Sequence, residues 1–421
     1  MTEELHLRRL LIKNTGVQIV GQIVSLAVGL ATTVILSRYL GVERFGQFNY
    51  ILFGFYFYFL ALNDFGVSVV VVRECSKARD RAGEIIGAML TFKLILSAFS
   101  VLAAWLAIWW MNFPAEQRDA LFLYALILPV IALQLPTTIF QVILKLEYSS
   151  LIGIATRLVT FLLLLGGVWI EGDLRTLVVA LVIAEIFSAC VLLAAARKFV
   201  TPVWRFDARL WKEVLRSSIP LGVMGLFVAV LNRSGFILLE RMSNPEQLGL
   251  YSAAYRITNL LESFPIMVMA TIYPLMARYA AEDVGKLRAL YKQSVLLLTA
   301  VAIPMAIVIT LLAPWIIQLL YGPKFAGAEN VLRVLIWATM FLYIALSGGN
   351  LLIATGREQV SLTLNIIAAI LSLVLGLLFI PKYGHVGAAL TNAACYFFIL
   401  VAIFTAVSFA LRTPSPPAST P

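Results

Sequence analysis

The sequence predicts an all-α integral membrane protein of about 12 transmembrane helices in two six-helix bundles, and three observations support this fold class. Hydrophobic residues make up 61% of the chain and charged residues only 13%, against about 25% charged residues in an ordinary globular domain. The hydrophobic residues form runs of about 20 residues or more, the length that a helix needs to cross a bilayer. Basic residues gather in the connectors between these runs, which is the pattern of membrane topology rather than of nucleic-acid binding.

Twelve hydrophobic runs are long enough to span the membrane. In chain order they cover residues 12–40, 46–72, 83–111, 119–142, 149–170, 174–196, 216–240, 248–277, 289–312, 328–353, 359–380 and 385–410. The first, third and eighth runs exceed the bilayer thickness, so we expect them to tilt or to project from the membrane. The Pro-rich residues 412–421 are predicted to form a disordered cytoplasmic tail.

The distribution of basic residues orients these spans. With the N-terminus in the cytoplasm, 20 of the 32 Lys and Arg residues lie on the cytoplasmic side, 7 lie on the opposite side and 5 lie within spans. This bias satisfies the positive-inside rule. It predicts a multi-pass membrane protein with both termini in the cytoplasm, which requires an even number of spans.

An internal repeat groups the spans six and six. The segment 36–48 resembles the segment 239–251, with every matched pair 203 residues apart. Each copy lies in the outer connector after the first helix of its half, so the repeat is parallel, with an axis along the membrane normal. We therefore predict an N-terminal lobe at residues 1–203 and a C-terminal lobe at residues 204–411, as in an alternating-access carrier.

Charged residues inside the spans are the candidate functional groups, because a charge in hydrocarbon is costly and usually functional. Facing the interface of the lobes, the basic members would form a cationic cavity for a phosphate or pyrophosphate headgroup. The alternative is that they snorkel to the membrane surface or pair with a buried acid. The proposed substrate-binding set is Arg233, Arg256, Arg157, Lys93 and Asn232.

Three carboxylates also lie within spans, namely Asp64, Glu262 and Glu185. Each either binds a coupling proton or cation or neutralises a nearby arginine. Glu262 follows Arg256 by six residues, so the two side chains lie on different faces of one helix. Prolines mark candidate hinges, among them Pro129 and Pro136 in the fourth run.

No pattern in the sequence indicates catalysis. The chain has no GxSxG, Walker or HExxH motif, so we expect no enzyme activity and no cofactor. The two histidines and the three widely separated cysteines favour neither a metal site nor a disulfide framework.

Several motifs together resemble the polysaccharide transporter family of the MOP flippase superfamily. They are Asn14 in the first helix, Leu40-Gly41-Val42-Glu43-Arg44-Phe45-Gly46, Asp64-Phe65-Gly66 with Arg73, Tyr321-Gly322-Pro323-Lys324-Phe325, and residues 381–389. The resemblance covers essentially the whole chain and is strongest to Wzx-type O-antigen flippases.

This resemblance implies two six-helix bundles around a central cavity. The expected substrate is an undecaprenyl-pyrophosphate-linked oligosaccharide, an O-antigen or other surface polysaccharide repeat unit, moved from the cytoplasmic to the periplasmic leaflet of the bacterial cytoplasmic (inner) membrane. It also implies contacts with membrane lipids, a coupling proton or sodium ion, and other polysaccharide assembly proteins as partners, and no nucleic acid. Lipid II is a less expected cargo, because that branch usually has two additional helices.

The sequence leaves two other functions open. A MATE-type cation-coupled multidrug antiporter shares the twelve-helix plan, but such carriers favour acidic cavities, whereas five basic and three acidic residues lie in spans here. A membrane-embedded glycan polymerase or glycosyltransferase usually carries a large polar loop, and this sequence has none.

Overall fold

A computed structural model describes the backbone of residues 2–143 and 145–411, together with the side chains of residues 25, 27–143, 145 and 147–411. Every regular element in this part of the chain is helical, which confirms the all-α fold class. The predicted disordered tail, residues 412–421, lies outside the described residues.

The first half of the chain consists of nine α-helices joined by short turns. They are α1 (Thr2–Asn49), α2 (Tyr56–Asp64), α3 (Val67–Lys77), α4 (Ala82–Met111), α5 (Ala115–Tyr124), α6 (Ile127–Leu133), α7 (Ile139–Val142), α8 (Leu146–Trp169) and α9 (Leu174–Ala196). A π-helical segment, Tyr50–Phe55, joins α1 to α2, and a 3-10 turn, Leu135–Thr138, joins α6 to α7.

The second half consists of five longer helices. They are α10 (Ala208–Met242), α11 (Pro245–Glu282), α12 (Val284–Tyr321), α13 (Ala328–Ala354) and α14 (Glu358–Ala410). Helix α14 has 53 residues, more than twice the length that spans a bilayer.

The number of membrane crossings is compatible with the twelve predicted spans. Among the described residues, nine helices are long and hydrophobic enough to cross a membrane, and a pair bent by 45° at residue 134 makes a tenth. Two of these ten are further divided by glycines in non-helical conformations, Gly41 (φ 70°) and Gly384 (φ 54°). Both glycines have a positive φ, which L-residues with a side chain rarely adopt.

The fourth predicted span, 119–142, is not one continuous helix. It is divided into α5, α6, the 3-10 turn and α7, and Pro129 and Pro136 lie within this broken stretch. Proline lacks the N–H that would continue the helical ladder. The prolines of α11 and α12, in contrast, lie inside unbroken helices, so the sharpest interruption is in the first half.

The chain forms two compact units that exchange segments. Unit 1 contains the residues up to Tyr39 together with Phe55–Leu226, and unit 2 contains Leu40–Gly54 together with the residues from Phe227 onward. Compared with a division at residue 203, unit 2 gains residues 40–54 and unit 1 gains the first part of α10. The predicted lobes, 1–203 and 204–411, stay a prediction.

Unit 1 is closed on one side by the connector between α9 and α10. The backbone N–H of Val203 donates to the carbonyl of Gly83 at 3.0 Å, and the indole N–H of Trp211 donates to the carbonyl of Ala88 at 2.8 Å. Val200 and Val214 belong to the same hydrophobic core as Val71 and Met89. The connector is therefore a packed part of unit 1.

Unit 2 contains a close helix crossing made by the two copies of the repeat. A Cβ atom on Gly46 would lie 2.6 Å from the backbone nitrogen of Gly249, and a Cβ on Gly249 would lie 2.1 Å from the carbonyl oxygen of Val42. Phe45 is fully buried and packs its ring against those of Tyr321 and Phe325. Glycine is required here because the two backbones touch.

Candidate functional site

Arg233 on α10 lies in an aromatic setting within unit 2. Only 6% of the residue is exposed. Its guanidinium donates a hydrogen bond to the hydroxyl of Tyr255 on α11. Its Cζ lies 4.9 Å from the centre of the Tyr255 ring and 5.6 Å from that of Phe53. Because the negative faces of aromatic rings attract cations, these rings stabilise a charge that hydrocarbon alone would not.

Arg256 on α11 shares the Phe53 ring with Arg233. The Cζ of Arg256 lies 4.6 Å from the centre of that ring. Phe53 belongs to the π-helical segment Tyr50–Phe55, which comes from the first half of the chain but packs in unit 2. π-Helical turns are frequent at functional sites because they change the direction of a side chain within a helix. Here the turn brings an aromatic ring to two arginines.

A carboxylate interacts electrostatically with Arg233, one arginine of this pair. Glu262 on α11 is near enough to Arg233 for their opposite charges to attract, and the amide of Asn259 donates to it at 3.5 Å. Asn232 beside Arg233 accepts a hydrogen bond of 2.6 Å from the hydroxyl of Tyr396 on α14. Arg233, Arg256, Asn232 and Glu262 therefore lie in one polar cluster of unit 2.

Lys93 and Asp64 form an ion pair in unit 1. The Lys93 ammonium, with 4% of its side chain exposed, lies 2.7 Å from the Asp64 carboxylate and donates to the Ser68 hydroxyl at 3.0 Å. Asp64 ends α2 just before Phe65 and Gly66, both with positive φ. Lys93 is therefore paired with an acid, the second of the two alternatives for an in-span cation.

Arg157 and Glu185 line a separate cavity in unit 1, with a volume of about 460 Å³. Glu185 on α9 accepts a hydrogen bond of 2.6 Å from the amide of Gln134, which lies in the broken fourth span. Arg157 on α8 is exposed to this cavity.

The eight candidate residues thus fall into three groups: the polar cluster of unit 2, the Lys93–Asp64 pair and the cavity with Arg157 and Glu185. Their convergence on one cationic cavity stays a prediction. Phe53, Tyr255 and Tyr396 belong to the polar cluster of unit 2 and are not among the residues predicted from the sequence. Tyr255 adjoins Arg256, but many aromatic residues lie in the spans, so their positions alone do not single these three out.

Comparison with known families identifies the chain. A family model described as "Polysaccharide biosynthesis protein" matches residues 11–280, which is more than half of the sequence. A second model, MatE, matches residues 220–378.

Curated relatives are similar over different parts of the chain. The "probable low-salt glycan biosynthesis flippase Agl15" of Haloferax volcanii is 22% identical over 86% of this chain and 75% of its own length. The "capsular polysaccharide biosynthesis protein CapF" of Staphylococcus aureus is 23% identical over 46% of this chain and 49% of its own. An uncharacterized membrane protein of Methanocaldococcus jannaschii is 29% identical, but the match spans only 28% of that protein's length.

Solved structures share the fold. The lipid II flippase MurJ in an inward closed conformation superposes with a TM-score of 0.79 at 13% identity, over 93% of this chain and 87% of its own. An inward-facing MATE transporter of the MOP superfamily gives a TM-score of 0.72 at 15% identity, over 96% of this chain and 100% of its own. At such identities the likeness establishes the fold alone. The family match over residues 11–280 shows that this multi-pass membrane protein belongs to the polysaccharide biosynthesis protein family.

Proposed function

We propose that this protein is a flippase that translocates a lipid-linked oligosaccharide across the membrane by alternating access. The observation that carries the proposal is the arginine pair of unit 2, in which the guanidinium groups of Arg233 and Arg256 share the ring of Phe53. Two guanidinium groups held near each other within a membrane-spanning unit match the two phosphates of a pyrophosphate linkage, because arginine binds phosphate oxygens bidentately.

The names of the relatives support the same cargo class. Agl15 is described as a probable glycan biosynthesis flippase, CapF as a capsular polysaccharide biosynthesis protein and MurJ as a lipid II flippase. Two of these names refer to a glycan or polysaccharide, and two describe a flippase. We propose that this chain handles the same class of cargo, and that it acts as a transporter rather than an enzyme.

Glu262 gives the proposed site a means of release. Its carboxylate and the Arg233 guanidinium attract each other, and a phosphate group of the cargo would compete for the same guanidinium. We propose Glu262 as the first candidate for coupling to a proton or sodium ion. Asp64 and Glu185 are the other two candidates, and each already has a partner, Lys93 and Gln134 respectively.

The finer proposal names the substrate and the membrane. The cargo would be an undecaprenyl-pyrophosphate-linked repeat unit, such as an O-antigen unit, flipped from the cytoplasmic to the periplasmic leaflet of a bacterial inner membrane. The division into two six-helix lobes, with both termini cytoplasmic, belongs to this proposal, as do other polysaccharide assembly proteins as partners.

A MATE-type antiporter is the second candidate, favoured by the MatE match over residues 220–378. Its substrates would be organic cations, which the charges of Arg233 and Arg256 would repel. The flippase is therefore the better supported function.

Reconstitution into vesicles tests the proposal. Purified protein would be reconstituted with undecaprenyl-pyrophosphate-linked oligosaccharide, and the lipid reaching the outer leaflet would be measured with a membrane-impermeant glycosidase. We expect the wild-type protein to accelerate this transfer and Arg233→Gln with Arg256→Gln to abolish it at an unchanged protein level.

Arg333→Gln is the matched control, since Arg333 is an exposed in-span arginine that donates to the carbonyl of Thr310 at 3.3 Å, and it should transport normally. Undiminished transport by the double variant would remove the arginine pair from the mechanism. Uptake of a cationic dye by vesicles that show no glycolipid transfer would favour the antiporter.

A further inference from the structure

The cavity of unit 1 is built from two matched stripes of residues. On α8, Ser149, Gly153, Arg157 and Thr160 line it, at spacings of three or four residues that place them on one helix face. On α9, Glu185 and Ser188 line it at the same kind of spacing. The volume of about 460 Å³ falls within the range of about 300–1,000 Å³ that is typical of small-ligand sites.

The broken fourth span forms another wall of this cavity. Thr137 in the 3-10 turn lines it, and Gln134 at the bend holds the Glu185 carboxylate at 2.6 Å. Within a membrane, irregular backbone is tolerated where it borders a cavity or is buried in protein. The interruption of the span and the presence of the cavity therefore belong together.

Arg157 is the one charged group of this cavity without a partner in the structure. Among the described residues, no hydrogen bond or ion pair engages its guanidinium. Its side chain is exposed rather than buried against neighbouring helices. An uncompensated guanidinium within a membrane span is expensive and indicates a ligand or a water-filled path. The nearby Glu185 carboxylate is held instead by Gln134.

The other polar groups of the cavity are mainly hydroxyl-bearing. Ser149, Thr137 and Ser188 all line it. Hydroxyl groups donate and accept hydrogen bonds alike. Such a lining, with one guanidinium and one carboxylate, matches a polyhydroxylated ligand better than it matches an apolar drug or a bare cation.

We infer that the cavity of unit 1 is a saccharide subsite that takes a sugar residue of the cargo. This inference rests on the proposed function. Arg157 would bind a sugar carboxylate or a ring hydroxyl pair, and Glu185 would accept hydrogen bonds from further hydroxyls. One arginine and one carboxylate in the same cavity carry no net positive charge, so this cavity suits a dianionic pyrophosphate less well than the two arginines and one carboxylate of unit 2.

Gly153 offers a way to fill the cavity without disturbing the fold. A Cβ atom at Gly153 would meet no atom within 4 Å, and the same holds for Gly166 on the same helix but outside the cavity. Gly153→Leu and Gly166→Leu therefore change helix propensity equally, and only the first would obstruct the subsite.

The experiment compares two probes on purified protein in nanodiscs. The probes are undecaprenyl pyrophosphate without sugar and the same lipid bearing an acidic repeat unit, and their dissociation constants would be measured by microscale thermophoresis. For wild type we expect the glycosylated lipid to bind more tightly than the bare one. In Arg157→Gln, the affinity for the glycosylated lipid should fall about tenfold or more, the value of a charge-assisted hydrogen bond. Gly153→Leu should lower the same affinity because its side chain obstructs the cavity. Neither variant should change the affinity for the bare lipid.

Arg233→Gln should lower the affinity for both probes, and Gly166→Leu should lower the affinity for neither. If Arg157→Gln lowered the affinity for both probes equally, Arg157 would belong to a pyrophosphate site and the saccharide subsite would be refuted. Wild-type binding of the two lipids with equal affinity would also refute it. A wild-type protein that bound neither lipid would instead overturn the proposed function itself.

Discussion

At the scale of single residues, the arginine pair depends on Phe53, whose ring both guanidinium groups share. Phe53→Leu keeps a hydrophobic side chain but removes the aromatic face. Since a cation–π contact is worth about 0.5–2 kcal/mol, we expect the affinity for a pyrophosphate lipid to fall about two- to thirtyfold at an unchanged protein level. Thermophoresis with undecaprenyl pyrophosphate measures this change.

The control for this variant is Phe59→Leu. Phe59 packs its ring 5.0 Å from that of Phe55 and belongs to unit 1, so it should retain wild-type affinity. Equal affinity of Phe53→Leu and wild type would mean that Phe53 packs beside the arginines without supporting their charge.

Individual charges were easier to find from the sequence than their partners. Lys93 and Asp64 stand out because both lie in hydrophobic runs, yet 29 residues separate them, and only the packing of α4 beside the end of α2 places them 2.7 Å apart. Phe53 carries no such signal, since one phenylalanine among 26 in the chain acquires a role only through a fold that brings two cations to its ring.

At the scale of elements, α9 begins with a side-chain cap outside the membrane spans. Asp173 accepts hydrogen bonds from the backbone N–H of Thr176 at 2.9 Å and from its hydroxyl at 2.8 Å. Asp173→Ala should destabilise the protein by about 0.5–1 kcal/mol, the value of an exposed N-cap. Thermal unfolding in detergent at neutral pH would show a lower Tm.

The pH dependence of this cap has a definite sign. The hydrogen bonds from Thr176 lower the pKa of Asp173 below its unfolded value of about 3.9. The charged cap therefore stabilises the protein above that unfolded pKa, and this contribution is lost as the pH falls through the lowered pKa. The Tm difference between wild type and Asp173→Asn, which keeps an acceptor but not the charge, should vanish in that acidic range. A difference that is independent of pH would contradict this assignment.

The crossing of the two repeat copies makes a second prediction about elements. In Gly249→Ala the new Cβ would lie 2.1 Å from the carbonyl oxygen of Val42, so the helices must separate, at a cost of about 1–3 kcal/mol. We expect lower membrane abundance and a lower Tm. Gly225→Ala on α10 is the control, because its Cβ meets open space, and it should be neutral or slightly stabilising. Equal Tm values for the two variants would mean that the crossing adapts freely.

The ends of a helix could be predicted from the sequence where the hydrophobic run and the helix end at the same residue. Helix α9 covers Leu174–Ala196, the same residues as the predicted span, because Asp173 precedes it and a basic connector follows. Helix α10 begins at Ala208, before the predicted residue 216. Its first turns carry Arg209 and Lys212, which are not part of the hydrophobic run. A hydrophobic run predicts the part of a helix that lies in the membrane and not the full length of the helix.

At the scale of the whole molecule, the predicted orientation can be tested by cysteine labelling. In a background without Cys75, Cys190 and Cys395, Lys382→Cys should react with an impermeant maleimide in intact cells. Arg209→Cys should react only after the membrane is permeabilised. Labelling of both in intact cells would contradict an even number of spans with cytoplasmic termini.

The exchange of segments between the units could not be predicted from the sequence. The repeat identified Gly46 and Gly249 as equivalent positions, but equivalence does not show that they touch. Their contact depends on residues 40–54 leaving the first half to pack in unit 2. A hydrophobic pattern indicates how much of a helix is buried, and it does not tell which neighbour buries it.

This exchange also affects biogenesis. Residues 40–54 emerge from the ribosome well before Phe227, where the rest of unit 2 begins, and at about 5–20 residues per second the interval is on the order of ten to thirty seconds. During that time the glycine surface at Gly46 lies in the bilayer without its contact partner, Gly249. Completion of unit 2 is therefore necessarily a late event of synthesis, and it cannot precede the insertion of α11, which carries Gly249.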